Sequence, residues 1–261
     1  MGVAVSMKFY LGTHHPSWLA KTDTPLFISN RAIGKRKSFP VAQGRWALDS
    51  GGFSELSMFG EWRTTEDEYA TTIRRCAEES GGLDWAAPMD WMCEPGIIEN
   101  TGKSVMEHQQ RTIESVLSLR ARVSTHIIPI LQGWEIRDYW KHIEMYADYG
   151  IDLADEPTVG IGSVSRRQAK SEITDMVIDI SKVGIRLHCF GFKSRGLAAT
   201  HNVITSADSM AWSFAARRSP PLPGCVGHKH CGNCLVYAEQ WYQKILSQIG
   251  AAAGREAGGG G

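Results

Sequence analysis

Trp46–Ala47–Leu48–Asp49–Ser50–Gly51–Gly52–Phe53 carries three apolar residues into an aspartate, a serine and two glycines. The pattern predicts a buried strand that stops at an acidic side chain and enters a turn tight enough to need glycine. A carboxylate there sits on a rigid edge, and the glycine backbone lets a flat ligand approach closely. Alone, the same residues also suit an ordinary strand-to-loop turn with Asp49 capping the next helix. Four other segments repeat the arrangement, and that repetition decides the reading.

Working outward, short apolar runs predict strands at Lys8–Leu11, Leu26–Ser29, Ala47–Asp49, Trp85–Ala87, Ile127–Leu131, Thr158–Gly160, Leu187–Phe190 and Val203–Ser206. Thr65–Glu79, Lys103–Arg122, Ile136–Tyr149 and Ser165–Lys182 read as helices. In the first, Tyr69, Ile73 and Cys76 share one face, and Thr64 or Thr65 with the acids that follow supplies an N-cap. Strands alternating with helices imply a parallel sheet, and eight strands close a barrel: an α/β chain with a (β/α)8 TIM barrel. The early connections are not cleanly helical, which leaves an open doubly wound sheet as the alternative.

On that map the polar residues gather at strand ends. Asp49 ends the third strand, and Asp90 follows the fourth in Ala87–Pro88–Met89–Asp90–Trp91. Gln132–Gly133 ends Ile128–Pro129–Ile130–Leu131. Gly160–Ile161–Gly162–Ser163 ends the next strand, and Asp208 follows Ile204–Thr205–Ser206–Ala207. Barrel active sites are built at the C-terminal ends of strands. Singly, each acid is an ordinary cap or loop residue; together they predict a functional pocket.

Composition narrows the classes. The 261 residues are 43% hydrophobic, enough for one large core, with 28 basic against 28 acidic side chains. Polyanion binding must therefore come from local patches. No apolar run approaches the roughly 20 residues of a membrane span, and Met1–Lys8 lacks a signal-peptide core, so a soluble, cytoplasmic protein is expected. Of six cysteines, Cys76, Cys93 and Cys189 are scattered singly, whereas Cys225, Cys231 and Cys234 crowd with His228 and His230. Such a cluster in a cytosolic protein predicts a metal site before a disulfide framework.

Asp-Ser-Gly-Gly-Phe, then Met-Asp, Leu-Gln-Gly, a glycine-rich strand end and a late Asp before a Cys/His cluster resembles the tRNA-guanine transglycosylase superfamily. The order and spacing are similar to its short DNA-acting branch, the DpdA-like DNA-guanine transglycosylases of phages and bacterial genomic islands. The resemblance runs from about Lys8 to about Gln248. It implies base exchange through a covalent intermediate, with Asp208 at the nucleophile position and Asp49 at that of the second catalytic aspartate. It also implies a guanine-like base pocket. Asp90 would accept from the base's donors, and Gln132, with a backbone N–H near Gly160–Gly162, would serve its O6. Ser50, Gly51, Gly52, Phe53 and Gly133 complete the set. The tRNA enzymes have Gly-Gly where this chain has Gly160–Ile161–Gly162, so both glycine amides are candidates for O6.

The metal motif departs too. In place of Cys-x-Cys-x-x-Cys with a distant histidine, the chain offers Cys225-x-x-His228-x-x-Cys231-x-x-Cys234, the ligand types of a tetrahedral structural zinc, with His230 competing for the place of His228. Such a zinc would pin the C-terminal segment to the barrel. The domain expectation is a catalytic barrel over 1–222, a zinc segment and terminal helix over 223–249, and a disordered tail over 250–261.

Arg31, Lys35–Arg36–Lys37, Arg166–Arg167, Lys193–Arg195 and Arg217–Arg218 would track DNA phosphates wherever they rim the pocket; His14–His15 is a further candidate lining or loop pair. The implied partners are DNA and a 7-deazaguanine base such as 7-cyano-7-deazaguanine (preQ0), with helper proteins for opening the duplex and a homodimer left open. The host would be a bacterial cell or a phage-infected one. The rivals are a tRNA enzyme, disfavoured by the short chain and altered metal motif, and a non-catalytic nucleic-acid-binding subunit, disfavoured by the retention of both Asp49 and Asp208.

Overall fold

The computed structural model describes residues 7–258. Its strands are β1 (Lys8–Thr13), β2 (Leu26–Ser29), β3 (Trp46–Asp49), β4 (Leu83–Ala86), β5 (Ile130–Leu131), β6 (Val159–Ile161), β7 (Leu187–Cys189) and β8 (Ser206–Ser209). They form one sheet in the order β4-β3-β2-β1-β8-β7-β6-β5, and every pairing within it is parallel. The helices are α1 (Asn30–Ile33), α2 (Gly52–Phe59), α3 (Glu66–Arg75), α4 (Pro95–Thr101), α5 (Val105–Arg120), α6 (Ile136–Asp148), α7 (Ser171–Lys182), α8 (Ser194–Thr200), α9 (Ala211–Ala216) and α10 (Leu235–Gly258). As the early connections foretold, the first is a 3-10 turn over Pro16–Ala20 and the second only the single turn α1.

The sheet curls into a TIM-like fold, and period-two alternation gives it an outer and an inner apolar face. Phe9, Leu11, Leu26, Ile28, Trp46, Leu48, Val159, Ile161, Leu187 and Ala207 face the helices in the main core. The alternate residues Tyr10, Ala47, Trp85, Ile128 and Ile130 make a second apolar cluster inside, with Phe27 and Phe190 against it. The Trp85 ring of β4 lies 4.8 Å from the His188 ring of β7, although four strands separate β4 and β7 in the sheet; only a curled sheet brings them together. The two edges meet at a single parallel bridge, Ala86 with Ile127, where Ala86 N donates to the His126 carbonyl at 3.0 Å and Ile128 N donates to Ala86 O at 3.2 Å. At the opposite end from the strand-end carboxylates, Asp84 gathers Lys8, Arg45 and the Tyr10 hydroxyl.

Several boundaries differ from expectation. The eighth strand is Ser206–Ser209, three residues late, so Asp208 lies within the strand and does not follow it. Strand β6 is Val159–Ile161, shifted one residue from the expected Thr158–Gly160. Helix α7 starts at Ser171 and not at Ser165, the intervening residues forming turns that carry Arg167 back to Trp134. Helix α10 is continuous through Gly258, so residues 250–258 of the expected disordered tail are helical; residues 259–261 lie outside the described residues. No helix among the described residues is long and apolar enough to cross a membrane.

Candidate active site

The same alternation that fills the interior also builds the pocket. Asp49 comes two residues after inward Ala47, Gln132 two after Ile130, Gly162 two after Gly160, Phe190 two after His188, and Asp208 two after Ser206. Each therefore projects inward at the C-terminal end of its strand. They line a cavity of about 200 Å³ with Phe27, Phe53, Asp90, Met92, Glu94, Ser163, Ser165 and Gly191. A larger cleft of about 770 Å³, bordered by Arg31, Lys35, Arg63 and Arg75, contains none of the strand-end motif residues. The smaller cavity is the candidate site because four carboxylates and a carboxamide converge there.

Local backbone dictates several of these positions. Gly51 turns at φ 86°, a left-handed conformation that strains other residues, and opens α2 as its N-cap. A Cβ on Gly162 would stand 2.3 Å from the Gln132 amide nitrogen, and one on Gly160 would stand 2.6 Å from the Phe190 ring. The segment after β4 is threaded by side chains: Met89 N and Trp91 N donate to the Ser115 and Thr112 hydroxyls of α5, and Cys93 N donates to Ser163 Oγ. Those anchors fix Asp90 between them.

The acids divide by environment. Burial pushes the Asp49 carboxyl up to about 6, and the Asp208 charge adds to the effect; the Gly51 and Ser50 N–H groups and the Ser29 hydroxyl oppose it. Burial, reinforced by the Asp49 charge, pushes Asp90 to about 7 against hydrogen bonds from Ser50 Oγ (3.1 Å) and Gln132 Nε2 (2.7 Å). Asp208 Oδ1 accepts from Gly191 N at 2.9 Å, and the fully buried His188 Nε2 lies 3.4 Å from the same oxygen. The other nitrogen of His188 meets Ser206 Oγ at 2.9 Å. Gln132 is held from behind: its N–H donates to His142 Nδ1, and its carbonyl accepts from Gln109 Nε2. Burial pushes His142 down to about 3, which keeps the imidazole a neutral acceptor.

Expected residues fall variously. Asp49, Phe53, Asp90, Gln132, Gly162 and Asp208 line the cavity, and Ser50 reaches it through Asp90. Gly51, Gly52, Gly133 and Gly160 shape the surrounding backbone without lining it. His14 and His15 do not line it; the His15 ring stacks on Trp18 at 5.0 Å. Of the basic groups, Arg31 is paired with Glu55, and Arg167 is stacked on Trp134 and bonded to its carbonyl. Arg166 lies over the Phe53 ring. Reading the sequence named Ser163 only within the Gly160–Ser163 strand end and gave it no role, and it missed Glu94, Phe190 and His188. The period-two signal pointed at the last two, while Glu94 and Ser163 lie in loops that carry no periodicity.

Over residues 5–257 the sequence matches the family DpdA, DeoxyPurine in DNA protein A. The chain belongs to the DpdA family. No curated protein matches it. Among solved structures it is similar to a candidate isomerase from Sinorhizobium meliloti in an open-loop conformation, at 14% identity and a TM-score of 0.41. The match covers 77% of this chain and 50% of that one, so the DpdA-family chain spans about half the length of that structure.

Between α9 and α10 the DpdA-family chain gathers the one metal-ligand cluster found among its described residues. One ligand atom each from Cys225, His228, Cys231 and Cys234 lies within 4.8 Å of the others. Cys225 Sγ and Cys234 Sγ are 3.9 Å apart, close to the edge of a tetrahedron with metal–sulfur bonds of about 2.3 Å. His228 Nε2 lies 3.2 Å from Cys231 Sγ. His230 Nδ1 accepts from Gly232 N, and His228 is the histidine whose ring nitrogen falls within the cluster. The donor set suits a metal such as zinc, with no position left for water. The cluster is tied to its neighbours through Ser213 Oγ, which donates to Gly232 O, and Cys231, which is fully buried. Helix α10 then packs Trp241 and Tyr242 against Phe9 of β1.

Proposed function

We propose that this chain is a DNA-guanine transglycosylase that exchanges guanine in DNA for a 7-deazaguanine base such as preQ0. The observation that carries the reading is the convergence of Asp49, Asp90, Gln132 and Asp208 on one cavity also lined by Phe27, Phe53 and Phe190. At about 200 Å³ it is smaller than the roughly 300–1,000 Å³ of sites for drug-sized ligands, and it suits a single flat heterocycle.

Asp208 attacks the anomeric carbon on the face opposite the base. A carbon–oxygen bond forms as the glycosidic bond breaks, and its electrons leave with guanine. The Gly191 N–H holds the attacking carboxylate in place. Asp49, shifted towards neutrality, takes the ring-nitrogen proton of the incoming 7-deazaguanine, whose nitrogen then displaces Asp208. Two displacements retain configuration at the sugar. Asp90 accepts from the base's N1–H and amino donors, and Gln132 with a nearby backbone N–H serves O6. A base that leaves these groups unsatisfied is rejected. The target nucleotide must leave the stack to reach Asp208. Zinc held by Cys225, His228, Cys231 and Cys234 plays a structural part only.

Purified protein given a labelled 7-deazaguanine should label DNA and leave tRNA untouched. Labelling of tRNA alone would transfer the assignment to the tRNA-acting branch.

A further inference from the structure

A hydroxyl has one proton, and Ser163 is asked for two. Its Oγ lies 2.8 Å from Glu94 Oε2 and 2.8 Å from Gln132 Oε1, two acceptors, while it already accepts from Cys93 N at 2.9 Å. At its far end Gln132 reaches Asp90 Oδ2 at 2.7 Å. Ser163 is also the only residue other than glycine with positive φ among the described residues, at 54°. A backbone strained in this way places its hydroxyl between the two carboxylates.

With one proton shared between the two acids, two arrangements give every atom in this chain a partner. In the first, Asp90 holds a proton and donates to the Gln132 oxygen, the Gln132 amino group donates to Ser163, and Ser163 donates to ionised Glu94. In the second, Asp90 is ionised and accepts from the Gln132 amino group, Ser163 donates to the Gln132 oxygen, and Glu94 carries the proton and donates to Ser163. The two differ by a half-turn of the Gln132 amide, a rotation of the Ser163 hydroxyl, and one proton moved from Asp90 to Glu94. Which way the amide lies is set by the network.

We propose that Glu94 is a positioning residue which, through Ser163 and the Gln132 amide, sets whether Asp90 donates or accepts at the floor of the pocket. The functional weight of the switch rests on the base-exchange reading, because a guanine edge presents donors to Asp90 and draws the chain into the second arrangement. Burial favours a neutral Asp90, as in the first arrangement, whereas the amide as placed, with Nε2 towards Asp90 and Oε1 towards Ser163, is that of the second. Other titratable groups among the described residues bear on it from each side. Asp49, Tyr69, Tyr146 and Cys93 surround Asp90, and Cys93 and Tyr139 flank Glu94. Arg167 donates to the Ser163 carbonyl and the Tyr139 hydroxyl, and neutral His142 holds the Gln132 backbone. None of these lies between Glu94 and Asp90 in the hydrogen-bonded chain.

The test needs no base. In protein carrying carboxyl-labelled aspartate, the Asp90 signal is assigned by its loss in Asp90→Asn and titrated by carbon NMR in four proteins: wild type, Glu94→Gln, Ser163→Gly and the double variant. Glycine suits the left-handed backbone at 163 and removes only the hydroxyl. Glu94→Gln supplies an amide donor to Ser163, mimics the second arrangement, and should lower the Asp90 midpoint by about one pH unit, a tenfold change in the ratio of ionised to neutral acid. In the Ser163→Gly background the same substitution should leave the midpoint unmoved. An equal shift with and without Ser163 would mean that Glu94 acts through space as a charge, and no shift in either would mean that it does not act; both overturn the proposal. Guanine binding to the wild-type protein, measured in parallel by calorimetry, bears on the base pocket separately.

Discussion

The pocket and the metal cluster are built on opposite principles. Asp49 and Asp208 face one cavity from opposite ends of the chain, placed there by strands that register with one another around the sheet. Cys225, His228, Cys231 and Cys234 span ten consecutive residues, and the segment between α9 and α10 has no strand or helix to hold them. One site inherits its geometry from the fold; the other rests on a loop that a bound metal would brace. A substitution in the pocket should therefore damage chemistry and spare stability, and one in the cluster should do the reverse.

The strongest way to break that contrast is at Cys231. Cys231→Ser should abolish stoichiometric zinc, measured by elemental analysis, and lower the melting temperature by about 5–10 °C, because binding such a metal is part of folding. Wild-type protein purified without zinc would remove the comparison altogether. In the pocket, Asp208→Asn should reduce base exchange at least about a thousandfold while moving the melting temperature little. On denaturing gels without added base, the covalent protein–DNA band should vanish in this variant. Undiminished exchange would point to Asp49 as the attacking group. Asp49→Asn should slow exchange by about a hundredfold or more yet keep the covalent band, since Asp208 can still attack.

The subtlest test asks whether the pocket's acids weigh on stability. Asp90 is held at about 7 in the folded protein against an ordinary value of 3.8. Between those values the unfolded chain has lost a proton that the folded chain keeps, so this group makes stability fall as pH rises through that window. Asp90→Asn removes the titration. Its melting temperature relative to wild type should climb from pH 4.5 to pH 8; parallel curves would show that Asp90 is not held neutral by the fold.

Much of this was legible in the sequence because strands announce themselves by alternation. The apolar pattern matches Leu26–Ser29 residue for residue, and it puts Asp49, Gln132 and Asp208 at strand ends, where all three line the cavity. The last strand slipped by three because Ser206–Ala207–Asp208–Ser209 is mostly polar and small, and apolar Val203 and Ile204 drew the reading upstream. Ser165–Gln168 resembles a helix start by composition, but Gln168 donates to the Gly191 carbonyl and accepts from Lys193 N, tying the segment to the turn after β7. The choice between His228 and His230 needed geometry, since spacing permits both. The roles of Glu94 and Ser163 were invisible for a deeper reason: the two residues matter through each other, and nothing in the order of residues says that positions 94 and 163 touch.

The bridge between Ala86 and Ile127 gives the curled sheet a seam with almost no backbone stitching. Asp90 emerges from one lip of that seam and Gln132 from the other, and their side chains meet across it at 2.7 Å. The seam is thus riveted by the residues assigned to hold the base. A ligand that grips both side chains would act as a clasp on the weakest line of the sheet. Amide hydrogen exchange at Ile128 and Ala86 should slow when the base enters, while the central β1–β8 ladder keeps its rate.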